Sequence, residues 1–337
     1  MIAGKILEVE IGRMQAIVYQ RYGSPDVLEF VEIPIPTPAE GQVLIRVHAA
    51  SVNPYDWHFL RGTPSFIRLF IGVRRPKFPR LGADVAGVVE AVGAKAAPFK
   101  PGHAVFGTAK GSFAEYACAA TAQLALKPQE ISFEQAACLA IAGVTALQGL
   151  RDKGKVQTGQ TVLINGAAGG VGTFAVQIAK SLGARVTGVC SARNVELLRS
   201  IGADEVIDYS HEDFARSDQH YDLLFDLVGN RSLSDCLRAV HPRGTYISCG
   251  GGNPDRSTWD LLAGMLQNAV RSAFTSQKMP ALLAKINRED LAILSKLVQR
   301  GTVIPVVDRT YSLREVAEAV RHVESGHVHG KVVIAIT

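Results

Sequence analysis

The run from Gly166 to Gly172, Gly-Ala-Ala-Gly-Gly-Val-Gly, has the residue types and spacing of a phosphate-binding turn. It follows the apolar segment Thr161–Asn165 and precedes apolar residues at helical spacing, which predicts a strand, a tight turn and a helix in that order. Glycines in such a turn let backbone N–H groups at the helix N-terminus approach the diphosphate of a dinucleotide. A turn built for packing alone is the alternative. The predicted diphosphate-binding residues are Ala168, Gly169, Gly170, Val171 and Gly172.

A second group of candidates follows the next predicted strand, Arg185–Cys190. A cofactor with a free ribose 2′-hydroxyl calls for Asp or Glu near the end of this strand, and the chain has Ser191 and Arg193 there instead. A hydroxyl and a guanidinium can bind a 2′-phosphate, so the sequence favours NADP(H) over NAD(H). In the alternative interpretation, Arg193 caps or solvates the start of the following helix.

Three polar candidates lie close together in the sequence, at Asn53, Asp56 and His58. An amide N–H donor, a carboxylate that orients its neighbours and an imidazole proton source could stabilise and protonate an oxyanion formed by hydride transfer. We therefore predict that they are the catalytic residues. Asn53 and Asp56 could instead satisfy backbone groups of a loop, and His58 could serve packing.

The elements that must position these residues change character along the chain. The first part alternates apolar and polar residues and predicts strands, whereas strands and helices alternate after about Ser132, as in a parallel sheet. The fold class is therefore α/β, with a β-rich domain beside a doubly wound one. The main predicted elements are strands at 15–19, 27–32 and 42–49, a helix at 135–150, an amphipathic helix at 313–326 and a strand at 331–336.

Length and composition limit the possible functions. A chain of 337 residues exceeds what one core usually supports, and 47% hydrophobic with 20% charged residues is typical of a folded protein. The net charge of +5 comes from interleaved residues without a long basic run, so we expect no nucleic-acid partner. The apolar stretch Phe66–Val73 is too short for a span and is interrupted by Arg68, so we expect no membrane partner either.

The cysteines and the first residues bear on location. The five cysteines are widely separated, which favours free thiols of a reducing compartment. Residues 1–13 lack the long apolar core of a signal peptide and are interpreted as an N-terminal extension. A cytoplasmic protein is expected. The apolar stretch Ser257–Ala284 could line a substrate cleft or a subunit contact, or face the interior of the protein.

Several segments, taken in order, give the chain a resemblance to a known family. From Met14 onward it resembles the zinc-independent quinone oxidoreductases of the medium-chain dehydrogenases/reductases and their enone and enoyl-thioester reductase relatives. The resemblance implies a GroES-like catalytic domain at 14–137 and 283–337 and a Rossmann domain at 138–282, with the nicotinamide in the cleft between them. The segments are Ser51–Asp56, Leu81–Gly87, Gly111–Tyr116, Gly166–Gly172 and Gly202–Tyr209.

The resemblance also implies roles for three further residues. Thr145 would lie against the nicotinamide, Tyr209 would join Ser191 and Arg193 near the 2′-phosphate, and Lys331 would reach the cofactor from the tail. Tyr209 could equally be a strand-end aromatic residue and Lys331 a solvated charge.

The chain departs from the zinc-dependent members at the metal ligands. Those enzymes have Gly-His-Glu where this chain has Gly82-Ala83-Asp84, and Asn53 falls in the stretch of the usual first cysteine ligand. No two cysteines lie within four residues of each other, so a cysteine-rich structural zinc lobe is also missing. We predict no metal site, and we expect His327 and His329 to be surface polar residues.

A substrate reduced without a Lewis acid must already accept hydride well. The sequence therefore predicts an NADPH-dependent reductase of a quinone or a small α,β-unsaturated carbonyl. An enoyl-thioester reductase and a non-catalytic NADPH-binding protein of the same fold are the alternatives. No basic cluster dedicated to the phosphates of a thioester substrate is evident, and a homodimer is compatible with the resemblance.

Overall fold

The computed structural model of the protein describes residues 12–249 and 275–336. Residues 1–11 of the expected extension and residues 257–274 of the apolar Ser257–Ala284 stretch lie outside these ranges.

Strands β1 to β14 follow in chain order, and their bounds agree closely with the sequence prediction for the elements around the glycine turn. They are β1 (Arg13–Tyr19), β2 (Leu28–Pro34), β3 (Gln42–Val52), β4 (Asp84–Val92), β5 (Ala104–Thr108), β6 (Tyr116–Ala120), β7 (Leu124–Leu126), β8 (Thr161–Asn165), β9 (Arg185–Cys190), β10 (Glu205–Asp208), β11 (Tyr221–Asp226), β12 (Val240–Ser248), β13 (Val307–Ser312) and β14 (Lys331–Ala335).

The α-helices carry many of the candidate site residues at their first turns. They are α1 (Pro54–Arg61), α2 (Arg68–Ile71), α3 (Phe133–Ala137), α4 (Ala140–Leu147), α5 (Gly170–Ser181), α6 (Val195–Ser200), α7 (Leu233–Arg238), α8 (Arg288–Gln299) and α9 (Val316–Glu324).

Five of the strands form a parallel sheet in the order β10-β9-β8-β11-β12. The first of these strands along the chain, β8, lies at the centre, which is the doubly wound arrangement of dinucleotide-binding domains. Val162, Leu163 and Ile164 are all fully buried, as expected of a strand covered by helices on both faces. The α/β fold class is confirmed.

Strands β1 and β2 pair with each other in a small antiparallel sheet, and a larger sheet of seven strands joins distant parts of the chain. Its order is β13-β14-β3-β4-β5-β7, with β6 also paired to β3. The tail strand β14 lies antiparallel to β3, so residues near 331 stand beside residues near 52. The predicted boundaries at 137/138 and 282/283 stay a prediction.

Helices α3 and α4 connect the two sheets. A single core contains Ala49, Ala86 and Phe106 of the larger sheet, Val144 of α4, and Ile164 of the parallel sheet. Because close-packed side chains resist displacement, this shared core fixes one sheet relative to the other. No helix in 12–249 or 275–336 is both long and apolar enough to cross a membrane.

The predicted helix at 135–150 is interrupted. The structure has α3, then α4, then a π-helical turn at Gln148–Lys153. The Ile141 N–H donates to the carboxylate of Asp84 (2.9 Å) and not to the carbonyl four residues earlier. A side chain 57 positions away therefore sets the start of α4.

Candidate active site

The glycine turn has the geometry of a diphosphate site. Gly166 has φ +81°, which a residue with a side chain adopts at a cost, and Gly169 is the N-cap of α5. A Cβ on Gly172 would lie 2.2 Å from the Gly166 carbonyl oxygen, so no side chain fits there. The turn thus directs the first N–H groups of α5, which have no partner within the helix, toward a ligand.

The tail of the chain packs against this turn. The Gly330 N–H donates to the Ala168 carbonyl (2.8 Å). A Cβ on Gly170 would lie 2.9 Å from Cδ of Lys331, so the aliphatic part of Lys331 covers the start of α5. Lys331, one of the predicted cofactor residues, is thereby placed directly beside the glycine turn.

Lys331 and Asn53 belong to a buried polar cluster. The ammonium of Lys331 donates to Asn53 Oδ1 (2.6 Å) and the Val52 carbonyl (3.3 Å), and lies 3.4 Å from Asp84 Oδ2. The Asn53 amide donates to Asp84 Oδ2 (2.9 Å) and the Ser51 carbonyl (3.2 Å). Both donors of Asn53 are therefore engaged within the protein.

Asp84 is the centre of this cluster. Besides Asn53 and Lys331, it accepts hydrogen bonds from the Ser51 hydroxyl (2.7 Å) and the Ile141 N–H (2.9 Å), and it is fully buried. A buried carboxylate needs such a set of donors to offset its lost hydration. Sequence reasoning missed Asp84 as a site residue, although its place in the Leu81–Gly87 segment was available as a signal.

Thr145 lies on α4, one helical turn after Ile141. Its hydroxyl donates to the Ile141 carbonyl (2.7 Å) and the residue is buried. The hydroxyl is therefore held toward the same end of α4 that Asp84 binds.

Asp56 satisfies backbone groups at the start of α1. One carboxylate oxygen accepts the Asn53 N–H (2.8 Å) and the other the Gly82 N–H (2.9 Å). Burial raises the pKa of Asp56 to about 7, and the negative charge of Asp84 adds to the shift. Asp56 thus fixes the position of Asn53 relative to Gly82.

His58 lies in the same helix, with other contacts. Its Nδ1 is 2.9 Å from the Thr63 carbonyl and its ring stacks on Trp57 at 3.7 Å. Burial lowers the pKa of the imidazole, which favours the neutral ring. No described contact joins His58 to Asn53, Asp84 or Lys331.

Tyr55 is a further candidate that sequence reasoning did not single out. It is the second residue of α1, directly after the Asn53 cap and Pro54, and is partly exposed. Burial of the phenol together with nearby Asp56 raises the pKa of Tyr55 to about 12, so the hydroxyl keeps its proton at neutral pH. A tyrosine beside a polar cap residue was the signal that could have identified it.

The residues expected at a 2′-phosphate lie after strands β9 and β10. Ser191 precedes a short 3-10 turn, and Tyr209 follows β10, where its N–H donates to the Cys190 carbonyl (3.0 Å). Arg193 is exposed and donates to the His327 carbonyl of the tail (2.8 Å). The predicted cofactor residues therefore form two groups, and the tail turn at 327–331 touches both.

A carboxylate also lies in this second group. Asp208, the last residue of β10, is paired with Cys190 in the sheet. Hydrogen bonds from the Ser210 N–H (3.0 Å) and hydroxyl (2.8 Å) lower the pKa of Asp208. Asp208 was not predicted as a site residue because it belongs to the strand beside β9 and not to the residues that follow β9 in the sequence.

Two histidines of the tail, His322 and His329, contact one carboxylate. His322 Nε2 and His329 Nε2 lie 2.7 Å and 3.0 Å from the two oxygens of Asp308. Among the residues that the structure describes, no group of three or more His, Cys, Asp and Glu side chains could hold a metal ion.

Comparisons with known proteins agree with this architecture. Residues 39–129 match the alcohol dehydrogenase GroES-like domain family, and residues 201–334 match the zinc-binding dehydrogenase family. A chloroplast envelope quinone oxidoreductase homolog of Arabidopsis thaliana is 33% identical, over 95% of this chain and 98% of that protein.

Two solved structures are also similar. The quinone oxidoreductase from Coxiella burnetii is 32% identical and has a TM-score of 0.84, covering 97% of this chain and 100% of that one. A mycobacterial protein complexed with NADPH is 28% identical with a TM-score of 0.79, covering 96% of this chain and 99% of that one. The protein is therefore an oxidoreductase that uses a pyridine nucleotide, and it belongs to the zinc-independent quinone oxidoreductase family of the medium-chain dehydrogenases/reductases.

Proposed function

We propose that the protein is an NADPH-dependent reductase of a quinone or a small α,β-unsaturated carbonyl. The main support is the position of Lys331. Its aliphatic part covers Gly170 at the start of α5, while its ammonium is bonded to Asn53 and lies beside Asp84. A nucleotide-binding turn and a charged polar cluster thus form one site.

The residues present fit a dinucleotide. The missing Cβ of Gly172 and the start of α5 leave backbone N–H groups for a diphosphate. Ser191 and Arg193 supply a hydroxyl and a cation for a 2′-phosphate, and the mycobacterial relative was solved with NADPH.

A bound reduced nicotinamide supplies the hydride. The protein then has to stabilise the negative charge that forms on the substrate oxygen. Tyr55 is suited to donate a hydrogen bond there, because it is partly exposed, beside Asn53, and protonated at neutral pH. The buried ammonium of Lys331 adds a fixed positive charge to the site.

Asn53, Asp56 and His58 receive different roles in this proposal. Asn53 holds the ammonium of Lys331, and Asp56 holds the turn that carries Asn53. His58 is bonded to Thr63 and is assigned to the structure of α1. Proton delivery is then assigned to Tyr55, with solvent restoring the proton.

Quinones are the favoured substrates. The Arabidopsis thaliana and Coxiella burnetii relatives are both named as quinone oxidoreductases, and a quinone accepts hydride without a metal ion. We propose a cytoplasmic location, as the sequence suggested.

The test is NADPH oxidation with a panel of a quinone, an enone and an enoyl thioester. We expect turnover with the quinone or the enone. Preference for the thioester would move the protein to the double-bond reductases, and NADPH binding without turnover of any acceptor would contradict the proposal.

A variant tests the assignment of the donor. Tyr55→Phe should lower kcat about ten- to a hundredfold with an unchanged NADPH dissociation constant, because only the charge formed during reaction loses its donor. Tyr311→Phe, on strand β13 and without a role at the site, is the matched control and should retain kcat. An unchanged kcat in Tyr55→Phe would exclude the tyrosine from catalysis.

A further inference from the structure

The segment that follows α1 has an unusual charge pattern. Between Trp57 and Ala83 the sequence has six Lys and Arg residues and no Asp or Glu. Arg61 is paired with Glu324 of α9, and Arg68 faces inward, where it lies over the Tyr22 ring at 4.7 Å. Of the other four, Arg74, Arg75 and Lys77 lie in one short segment and Arg80 follows it. This segment, residues 66–78, contains helix α2 and is called here the 66–78 loop.

The 66–78 loop exposes large apolar side chains. In a folded protein such side chains are normally scattered, and a group of them on one surface marks an interaction site. Here they lie in one short segment, on the helical turns at Ser65–Ile67 and Arg68–Ile71 and in the residues that follow. Their exposed fractions are 42% for Phe66, 68% for Leu69, 72% for Phe70, 63% for Val73 and 59% for Phe78.

The backbone of this loop is held in place, so the exposure belongs to a defined shape. The Tyr22 hydroxyl donates to the Gly72 carbonyl (2.5 Å), and the Lys77 N–H donates to the Ile71 carbonyl (2.7 Å). The Arg68 guanidinium donates to the carbonyls of Arg61 and Gly62, both at 3.0 Å. These bonds hold the backbone of the loop and leave the side chains of Leu69, Phe70 and Val73, which we call the apolar tip, in solvent.

Cations surround the apolar tip. Arg74, Arg75 and Lys77 are exposed, and none of them forms an ion pair with a residue in 12–249 or 275–336. Lys110 approaches from another strand connection and lies over the Phe78 ring at 4.9 Å. An apolar tip with a cationic rim is complementary to a surface that is apolar inside and anionic outside.

We propose that the 66–78 loop docks the protein reversibly on an anionic lipid bilayer. Leu69, Phe70 and Val73 enter the boundary between headgroups and acyl chains, while Arg74, Arg75 and Lys77 bind lipid phosphates. The sequence stretch Phe66–Val73 is too short to span a bilayer, but contact with its surface needs no span.

The loop begins where α1 ends, and α1 begins at the Asn53 cap of the active site. Docking would therefore hold that side of the molecule near the membrane. The binding itself does not depend on the proposed reductase activity, although an apolar quinone dissolved in the bilayer would then be close to the site.

The test is co-sedimentation of the full chain with phosphatidylcholine vesicles prepared with and without phosphatidylglycerol. We expect binding that requires the anionic lipid and weakens with salt. Arg74→Glu/Arg75→Glu should weaken it at least twentyfold, since each basic side chain near an anionic surface contributes roughly fivefold. Leu69→Ser/Phe70→Ser should also weaken it at least tenfold.

Matched controls carry the same changes elsewhere. Leu283→Ser/Ile304→Ser removes two other exposed apolar side chains, and Lys153→Glu/Arg300→Glu reverses two other exposed charges. Both should bind vesicles like the natural chain. Quinone turnover in detergent-free buffer should be unchanged in all four variants, which separates docking from the proposed function.

Three outcomes would overturn the proposal. The first is no binding to anionic vesicles, and the second is equal loss of binding in the loop variants and the controls. The third is a lower melting temperature of Leu69→Ser/Phe70→Ser, or the loss of a dimer in that variant. Either result would mean that these side chains are covered by the same chain or by a second copy.

Discussion

The glycine turn and the Asn53–Asp84–Lys331 cluster are two halves of one site, and they are built in opposite ways. The turn consists of seven consecutive residues that act through their backbone, whereas the cluster joins side chains that are up to 278 positions apart. The turn needs the absence of side chains, and the cluster needs every partner present. A substitution in the turn should therefore act by steric conflict, whereas a substitution in the cluster should act by leaving a buried polar group without its partner.

The largest effect is expected in the cluster. Asp84→Ala leaves the ammonium of Lys331 buried without its carboxylate and removes the acceptor of three further donors. We expect the free energy of unfolding to fall by about 3 to 5 kcal/mol, measured by urea denaturation. Glu40→Ala, which breaks the exposed pair with Lys95, should change stability little. Equal costs for the two variants would show that the cluster does not stabilise the fold.

In the turn, Gly172→Ala should act by steric conflict. Its Cβ would lie 2.2 Å from the Gly166 carbonyl oxygen, so the backbone must move, at a cost of about 3 kcal/mol in stability and with loss of NADPH binding. Gly169→Ala is the milder comparison, because the Gly166 carbonyl oxygen, 3.3 Å from its Cβ, needs to shift by only a few tenths of an ångström and its φ of −77° suits alanine. Calorimetry of both variants checks this, and equal stability would contradict the steric reason.

Arg193→Ala separates two roles at the adenosine end. If the guanidinium binds a 2′-phosphate, NADPH affinity should fall about ten- to a hundredfold while NADH affinity stays the same. If Arg193 acts only through its bond to the His327 carbonyl, both affinities should fall together. Asp208→Asn is the companion variant, and a selective loss of NADH binding would reveal a role in binding a ribose hydroxyl.

The last effect, at Asp56, depends on pH. In the folded protein the pKa of Asp56 is about 7, above its ordinary value of 3.8, so the folded state binds more protons than the unfolded state between these values. This contribution to stability is complete below about pH 4 and declines as pH rises to 7, by at most about 1.4 kcal/mol per pH unit.

Asp56→Asn should remove that slope, which denaturation at several pH values would measure. The exposed Asp218→Asn should leave it unchanged. A slope that persists in Asp56→Asn would assign the pH dependence to another group.

The contrast between a local turn and a long-range cluster also explains which features the sequence predicted and which it did not. Strand β9, Arg185–Cys190, and the start of α5 agree with expectation because strand, turn and helix signals are local. The break between α3 and α4 was missed because it depends on Asp84, which lies far away in the sequence. Asn53 was expected to have free donors, and only the fold shows that Asp84 and the Ser51 carbonyl already take them.

The pairing of the tail with both halves of the site has a consequence for synthesis. Gly330 bonds to Ala168, and Lys331 bonds to Asn53, so the site is incomplete until these late residues are present. The five strands of the parallel sheet and the glycine turn all precede these residues in the chain. Full affinity for the cofactor is therefore expected only after residue 331 has left the ribosomal exit tunnel. Cofactor binding would then come late in the synthesis of the chain.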